Sequence, residues 1–486
     1  MAGLRTGFAL MAAALLAGCA TVPSQRAEFE AVRVALDGHI RTLASPEYGG
    51  RMPGTEGGQL TEKYVADTLA GYGYEAGAAD GSWFQKVGIE RFSPSSSSLV
   101  ITGKGKPARF EGDGLIVRLR ADGMLVPDSG VVFVGSGEGL HEGSLAGQVV
   151  LVRADDVQQL ADDLLDAEPA AIVTLFDDQD RFDRLARNFR RGRYGLASEE
   201  TETTAFALFA PGFTARLLDT LHVTDQQLGE RAAEAEGPVV LDARAKLTVD
   251  QDKETVESAN VIGVLHGRVK GSGTVMMLAH WDHLGTCGKE GDEDRLCNGA
   301  VDNASGVGVM LETARRIAAE GPLDRDLYVI GTTAEELGLL GAEAFAEDPP
   351  FPLPTVVAAF NMDTMAISPR GAPITVIGDG RTPLDHGIRE VAESLGRKLD
   401  IREKHQEFVA RQDGWALLSR DVPAVLVGTA MGDEAAFGGF MSSHYHRASD
   451  EWREDLELGG ATEDILLHVA LLHFFGNEAS YRPGDD

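Results

Sequence analysis

T-V-M-M-L-A-H-W-D-H-L-G, residues 274–285, decides the fold. Its apolar half lacks the alternation of a half-exposed strand, so it reads as a strand buried on both faces, the kind found in parallel sheets covered by helices. The run ends in His280, which therefore stands just past the strand's carboxyl end, where open α/β sheets bind ligands. Outward from this stretch the pattern recurs. Residues 326–332 run into T-A-E-E-L-G, placing Glu335 and Glu336 at a strand end and helix start. Residues 355–360 run into N-M-D, placing Asp363 there. A-V-D-N-A-S-G sets Asp302 in a loop before a helix, and H-Y-H-R-A-S-D sets His446 in a late loop.

Further strands are expected at 261–265, 374–377 and 424–427, and helices at 305–320, 336–347, 383–395 and 461–475. The alternation predicts an α/β fold with a mostly parallel central sheet and helices on both faces. Helical periodicity at 27–44 and 61–69 flanks a Gly/Pro-rich run at 48–58. Between 93 and 249 the texture changes to short β-rich runs parted by polar turns, and the Ser/Pro-rich segment 93–98 reads as a boundary. The expected organisation is thus a catalytic domain formed by 27–92 and 250–480, with a β-rich insert over 93–249.

The 486 residues are 43% hydrophobic and 25% charged, which excludes wholesale disorder. A formal charge of −32 argues against a nucleic-acid partner, because phosphate binding needs a basic surface. Residues 1–19 carry Arg5, an apolar stretch over 8–16 too short to span a bilayer, and the ending L-A-G-C. That ending resembles a bacterial lipobox, which implies a signal peptide over 1–19, a lipid on Cys19 and a place in the cell envelope; simple secretion is the alternative. Beyond Cys19 the cysteines are Cys287 and Cys297. In an oxidising compartment they read as a disulfide, the alternative being a pair of metal thiolates. The polar loop between them lies between His280 and Asp302, so it is expected to be a stapled flap at the site's mouth, or else a plain surface stabiliser.

Imidazole and carboxylate are the ligands zinc favours, and two ions about 3.5–4 Å apart can clamp a bridging hydroxide. His280, Asp302, Glu336, Asp363 and His446 supply two histidines and three carboxylates, leaving Glu335 as a general base. Singly, each has a plainer reading, as a helix-start carboxylate or a structural histidine. Together, at matching strand ends, they point to one metal centre. His283 and His444 read as supporting or structural.

In this order, A-H-W-D-H-L-G, A-V-D-N-A-S-G, A-E-E-L-G-L-L-G, F-N-M-D and Y-H-R-A-S-D resemble the dinuclear zinc aminopeptidases of the secreted bacterial type. The runs at 130–140 and 145–152 resemble the protease-associated domain often inserted in them. The resemblance implies two Zn2+ ions, one on His280 and Asp363, the other on Glu336 and His446, with Asp302 bridging. It implies that Glu335 is the base, that Asp282 orients His280 and that Tyr445 stabilises the oxyanion. Where such enzymes carry R-S-D-H/Q, this chain has R-Q-D-G at 411–414. The implied activity is hydrolysis of the first peptide bond of peptide or protein N-termini. The alternatives are a carboxypeptidase-like or glutaminyl-cyclase-like relative and a non-catalytic binding protein.

Overall fold

Alternate residues of the strand Thr274–His280 enter two different cores, which is why the whole strand is buried. Val275, Met277 and Ala279 pack with the helices Gln25–Leu43, Glu56–Gly71, Gly306–Glu320 and Gly459–Gly476. Met276 and Leu278 face the opposite core, closed by Phe345 of the helix Leu340–Glu347 and Leu417 of the helix Gly414–Leu418. Each Val, Leu or Met side chain so buried contributes roughly 1.5–3 kcal/mol relative to exposure. The expected α/β fold with helices on both faces is what the chain adopts. These features come from a computed structural model that describes residues 25–235, 237–288 and 291–484; the proposed signal peptide and Cys19 lie outside the described residues. No helix among the described residues is long and apolar enough to cross a membrane.

In this half the sheet runs Thr375–Ile377, Ala424–Gly428, Val356–Asn361, Thr274–His280, Asp326–Thr332 and the end of Val239–Leu265. The four strands from Ala424–Gly428 to Asp326–Thr332 are parallel; both flanking pairings are antiparallel. The register sets His280 opposite Thr332 and Leu278 opposite Asn361. Segments leaving these three strands therefore emerge together along one carboxyl edge.

Two long strands, Phe84–Thr102 and Val239–Leu265, form an antiparallel ladder from this half into the β-rich half. The expected boundaries at 93 and 249 thus fall within continuous strands. Ser/Pro-rich 93–98 is strand rather than linker: the register shifts between Asp250 and Gln251, absorbing an extra residue beside Pro94, which has no N–H for the ladder. Beyond lie the strands Gly123–Val134, Val149–Arg153, Ala171–Leu175 and Ala205–Phe209, mutually parallel, and Leu115–Arg118 at the edge. Their core includes Leu99, Val131, Leu151, Val173 and Phe209, with Leu241, Ala245 and Leu247 from the inward face of an alternating strand. Helices also belong to this unit, Gln179–Arg190 among them.

Candidate metal centre

Three connections from the carboxyl edge, with a late loop, bring the chemistry together. The expected helix start at Glu336 is corrected: Glu335 and Glu336 lie in a turn, and the helix begins at Leu340. Asp282 takes the main-chain N–H groups of Glu335 and Glu336 at 3.1 and 3.4 Å, while Gly338, at φ 116°, turns the chain so that its N–H and that of Leu339 both reach Glu335 O. Ala334, Thr364 and His446 hold φ of 55°, 56° and 57°, each beside or at a proposed ligand or base. Such conformations cost on the order of 1–3 kcal/mol where the surroundings impose them. At Thr364 the imposition is visible, since its N–H donates to Asn303 Oδ1 (3.1 Å) and its hydroxyl to Asp363 Oδ1 (2.7 Å).

Asp302 stands at the middle. Its Oδ1 lies 3.4 Å from His280 Nε2 and its Oδ2 3.3 Å from His446 Nε2. His280 Nε2 is also 3.4 Å from Asp363 Oδ1, and His446 Nε2 is 3.0 Å from Glu336 Oε2. Glu335 Oε2 is 4.0 Å from His280 Nε2. His280 is 1% exposed and Asp302 3%.

This donor set fits divalent cations. His280 Nδ1 lies 3.2 Å from the main-chain O of Asp282, which can only accept, so Nδ1 carries a proton. In the neutral ring Nε2 then offers a lone pair toward two carboxylates, and a cation between them resolves the repulsion. His280, Asp302 and Asp363 offer ligand atoms within 4.8 Å of one another, and so do His283, Asp302 and Glu336. The nearby buried cation is Arg51, but its guanidinium is spent on the main-chain oxygens of Trp281, Leu43, Asn298 and Gly299.

The electrostatics are those of crowded, dehydrated carboxylates. Burial, with Asp363, Glu336 and Asp413 adding to it and His280 opposing, raises Glu335 well above the usual range. Burial and then Glu336 raise Asp302. Burial favours the uncharged form of Glu336, but its hydrogen bonds to His283 and His446 win and lower it. For His446, burial is outweighed by Asp302 and Glu336, which carry it to about 10. These shifts describe the groups without a cation; a bound ion replaces the protons.

The structure brings His280, Asp302, Glu335, Glu336, Asp363 and His446 together. The Asp282 carboxylate lies 3.7 Å from His280 Nδ1 and beneath the two glutamates. Tyr445 stacks on His446, ring centroids 3.8 Å apart. His283, given no metal role by the sequence, enters the cluster with Nδ1 2.6 Å from Glu336 Oε1. In R-Q-D-G only Asp413 is placed behind the site, accepting from the Thr332 hydroxyl; the exposed Arg411 stacks on Phe408 instead. Asp450, to which the sequence motifs alone give no role, holds the N–H groups of Val301 and Asp302 with its two carboxylate oxygens. Its place at the end of H-Y-H-R-A-S-D was the available signal. Cys287 and Cys297 are joined by a disulfide, Cα atoms 5.8 Å apart, where Gly285–Thr286 pairs with Leu296–Cys297.

Residues 260–470 match Peptidase family M28. The match covers the segment whose motifs resemble the zinc aminopeptidases. A stretch of 91 residues is 35% identical to Aminopeptidase YwaD of Bacillus subtilis (strain 168), covering 18% of this chain and 18% of that relative. Among solved structures, the fold is similar to an aminopeptidase from Aneurinibacillus sp. strain AM-1, at 17% identity and TM-score 0.54 over 92% of this chain and 94% of that one. A zinc aminopeptidase from Bacillus subtilis aligns at 16% identity and TM-score 0.49 over 93% of this chain and 97% of that one.

Proposed function

We propose that this chain, which carries a family M28 domain over residues 260–470, is a zinc-dependent aminopeptidase that hydrolyses the first peptide bond of peptide or protein N-termini. The observation that carries the reading is Asp302, with one carboxylate oxygen toward His280 and the other toward His446. His280 and Asp363 would hold one Zn2+ ion and Glu336 and His446 a second, with Asp302 offering an oxygen to each side. We favour His446 over His283 for the second because its Nε2 faces both Asp302 and Glu336, whereas His283 faces the other oxygen of Glu336.

Bound zinc supplies Lewis-acid polarisation of the carbonyl and lowers the pKa of the attacking water. Glu335, buried with its pKa raised, is suited to take a proton from that water and return it to the leaving amine. Asp282 positions Glu335 and Glu336 through their main-chain N–H groups. Tyr445, stacked on His446, is proposed to donate to the oxyanion. Carboxylates around the ions attract the cationic amino group of the substrate. The β-rich unit is proposed to be protease-associated-like, and Cys19 the lipid anchor that holds the enzyme in the cell envelope.

The test is a panel on chelated and zinc-reloaded protein: leucyl and arginyl amides, their N-acetylated forms, a peptide blocked at its amino end with a free carboxyl end, and an N-terminal glutamine peptide. Zinc-dependent cleavage of the free-amino substrates alone supports the reading. Activity confined to the blocked peptide, to cyclisation of glutamine, or to none of them, overturns it in favour of a carboxypeptidase, a cyclase or a binding protein.

A further inference from the structure

Glu336 also borders a cleft of about 400 Å³ that lies between the peptidase domain and the β-rich unit. One wall includes Leu284, Thr286, Cys287 and Glu336. The other includes four arginines, Arg91, Arg118, Arg191 and Arg193. Among the described residues of the lining Glu336 is the one carboxylate. The Glu336 side chain itself is buried against His283 and His446, so residue 336 joins the cleft to the metal centre; in a chain of net charge −32, four arginines lining one cleft run against the average charge of the surface.

Two of these arginines are compensated. Arg91 Nη1 lies 3.4 Å from Glu254 Oε2, and Arg193 Nε lies 2.6 Å from Glu202 Oε1. Arg118 and Arg191 make no ion pair among the described residues. Arg118 rests on the ring of Phe189, 4.3 Å from its centroid, and its Nε is buried without a hydrogen-bond partner. Burial, and next the charge of Arg193, lower Arg118 to about 10. The Phe189 contact anchors the planar group, while Arg191 is exposed at the rim. Glu202 opposes that shift but makes no ion pair with Arg118, and a partly buried guanidinium left without an ion pair gains from an oxyanion it can bind in forked geometry, with the exposed Arg191 beside it.

We propose that this cleft binds a carboxylate of the peptide substrate, held by Arg118 and Arg191, so that anionic peptides are preferred over uncharged ones. The proposal rests on the aminopeptidase reading, because that reading makes the ligand a peptide. A peptide offers this chemistry from three sources: an acidic N-terminal side chain, an acidic side chain after the scissile bond, and the terminal carboxylate of a short chain. In each case the β-rich unit acts as a selectivity wall for the metal centre.

Three matched substrate pairs, each differing by one carboxylate, separate the sources: Glu-Gly-Gly-amide against Gln-Gly-Gly-amide, Leu-Glu-Gly-amide against Leu-Gln-Gly-amide, and Leu-Gly-Gly against its amide. The zinc enzyme is expected to favour the acid of at least one pair by about tenfold in kcat/KM, mainly through KM. In the Arg118→Gln/Arg191→Gln protein that preference disappears while uncharged members are hydrolysed as before. Calorimetric titration of the same peptides into chelated protein supplies a readout independent of turnover, with tighter binding of the acid that weakens as salt rises. Equal binding and hydrolysis within all three pairs overturns the proposal and leaves the aminopeptidase reading intact. Preferential binding of an acid with no hydrolysis of any peptide does the reverse. Should the double variant fail to fold, Arg191→Gln at the exposed rim and the charge-conserving Arg118→Lys decide: the former must lose part of the preference, and the latter must keep more of it than Arg118→Gln.

Discussion

Asp450 holds Asp302 by its backbone: Asp450 Oδ2 accepts the Asp302 N–H at 3.0 Å, and Oδ1 takes that of Val301 at 2.9 Å. Both groups are buried, and burial raises Asp450 to about 6. Asp302 can face two imidazoles at once only while its backbone stays fixed. Asp450→Asn offers one acceptor where two are needed, stranding a buried N–H at about 1–3 kcal/mol. The expected result is a lower Tm and metal affinity reduced roughly 10–100-fold, measured by competition with a chromogenic chelator. Unchanged metal affinity assigns Asp450 to stability alone.

Glu335→Gln keeps the shape of the side chain but removes the basic oxygen. Turnover should fall by about 10²–10⁴-fold while bound metal, measured by elemental analysis, is retained. Asp363→Ala and His446→Ala should lose metal along with activity. A Glu335→Gln enzyme of near-normal rate removes Glu335 from the proton-transfer role.

Away from the metals, Asp464 and His468 face each other's pH dependence on one helix. Burial raises Asp464 to about 7 and lowers His468 to about 4, and His468 Nδ1 lies 2.7 Å from Asp464 O. Between about pH 4 and 7 the folded state keeps the Asp464 proton that the unfolded state has released, so this group makes stability fall as pH rises. Between about pH 4 and 6.5 the unfolded state binds a proton that folded His468 refuses, so His468 makes stability rise with pH. Relative to wild type, Asp464→Asn should therefore gain stability as pH rises from 4 to 7, and His468→Gln should lose it as pH rises to about 6.5. Melting temperatures of all three proteins across this range check both signs; parallel curves defeat the assignment.

Thr286 and Cys287 line the cleft beside Glu336, so the Cys287–Cys297 staple borders the space proposed for substrate. Making both positions Ser should cost roughly 2–3 kcal/mol of stability and raise KM at constant metal content. A lowered Tm with unaltered kinetics reduces the bond to a surface stabiliser.

Legibility in the sequence was local. The apolar run at 275–279 can be hidden only between two layers, and a strand so hidden must deliver His280 to its carboxyl end; the strands ending at Thr332 and Asn361 obey the same constraint. Burial demand and strand direction thus determined the α/β fold and gathered His280, Glu335, Glu336 and Asp363 at one edge before any long-range contact was known. The unbroken ladder across 93 and 249, the delayed helix start at Leu340, the entry of His283, the hold of Asp282 on the N–H groups of Glu335 and Glu336 and the role of Asp450 came only with tertiary structure. Each depends on which backbone N–H or carboxylate another segment reaches. The arginine wall depends on it most, since Arg91, Arg118, Arg191 and Arg193 are ordinary charges in the chain. Only packing the β-rich unit beside Glu336 puts four like charges in one cleft, because such proximity is set by how two cores bury their apolar faces and not by spacing in the sequence.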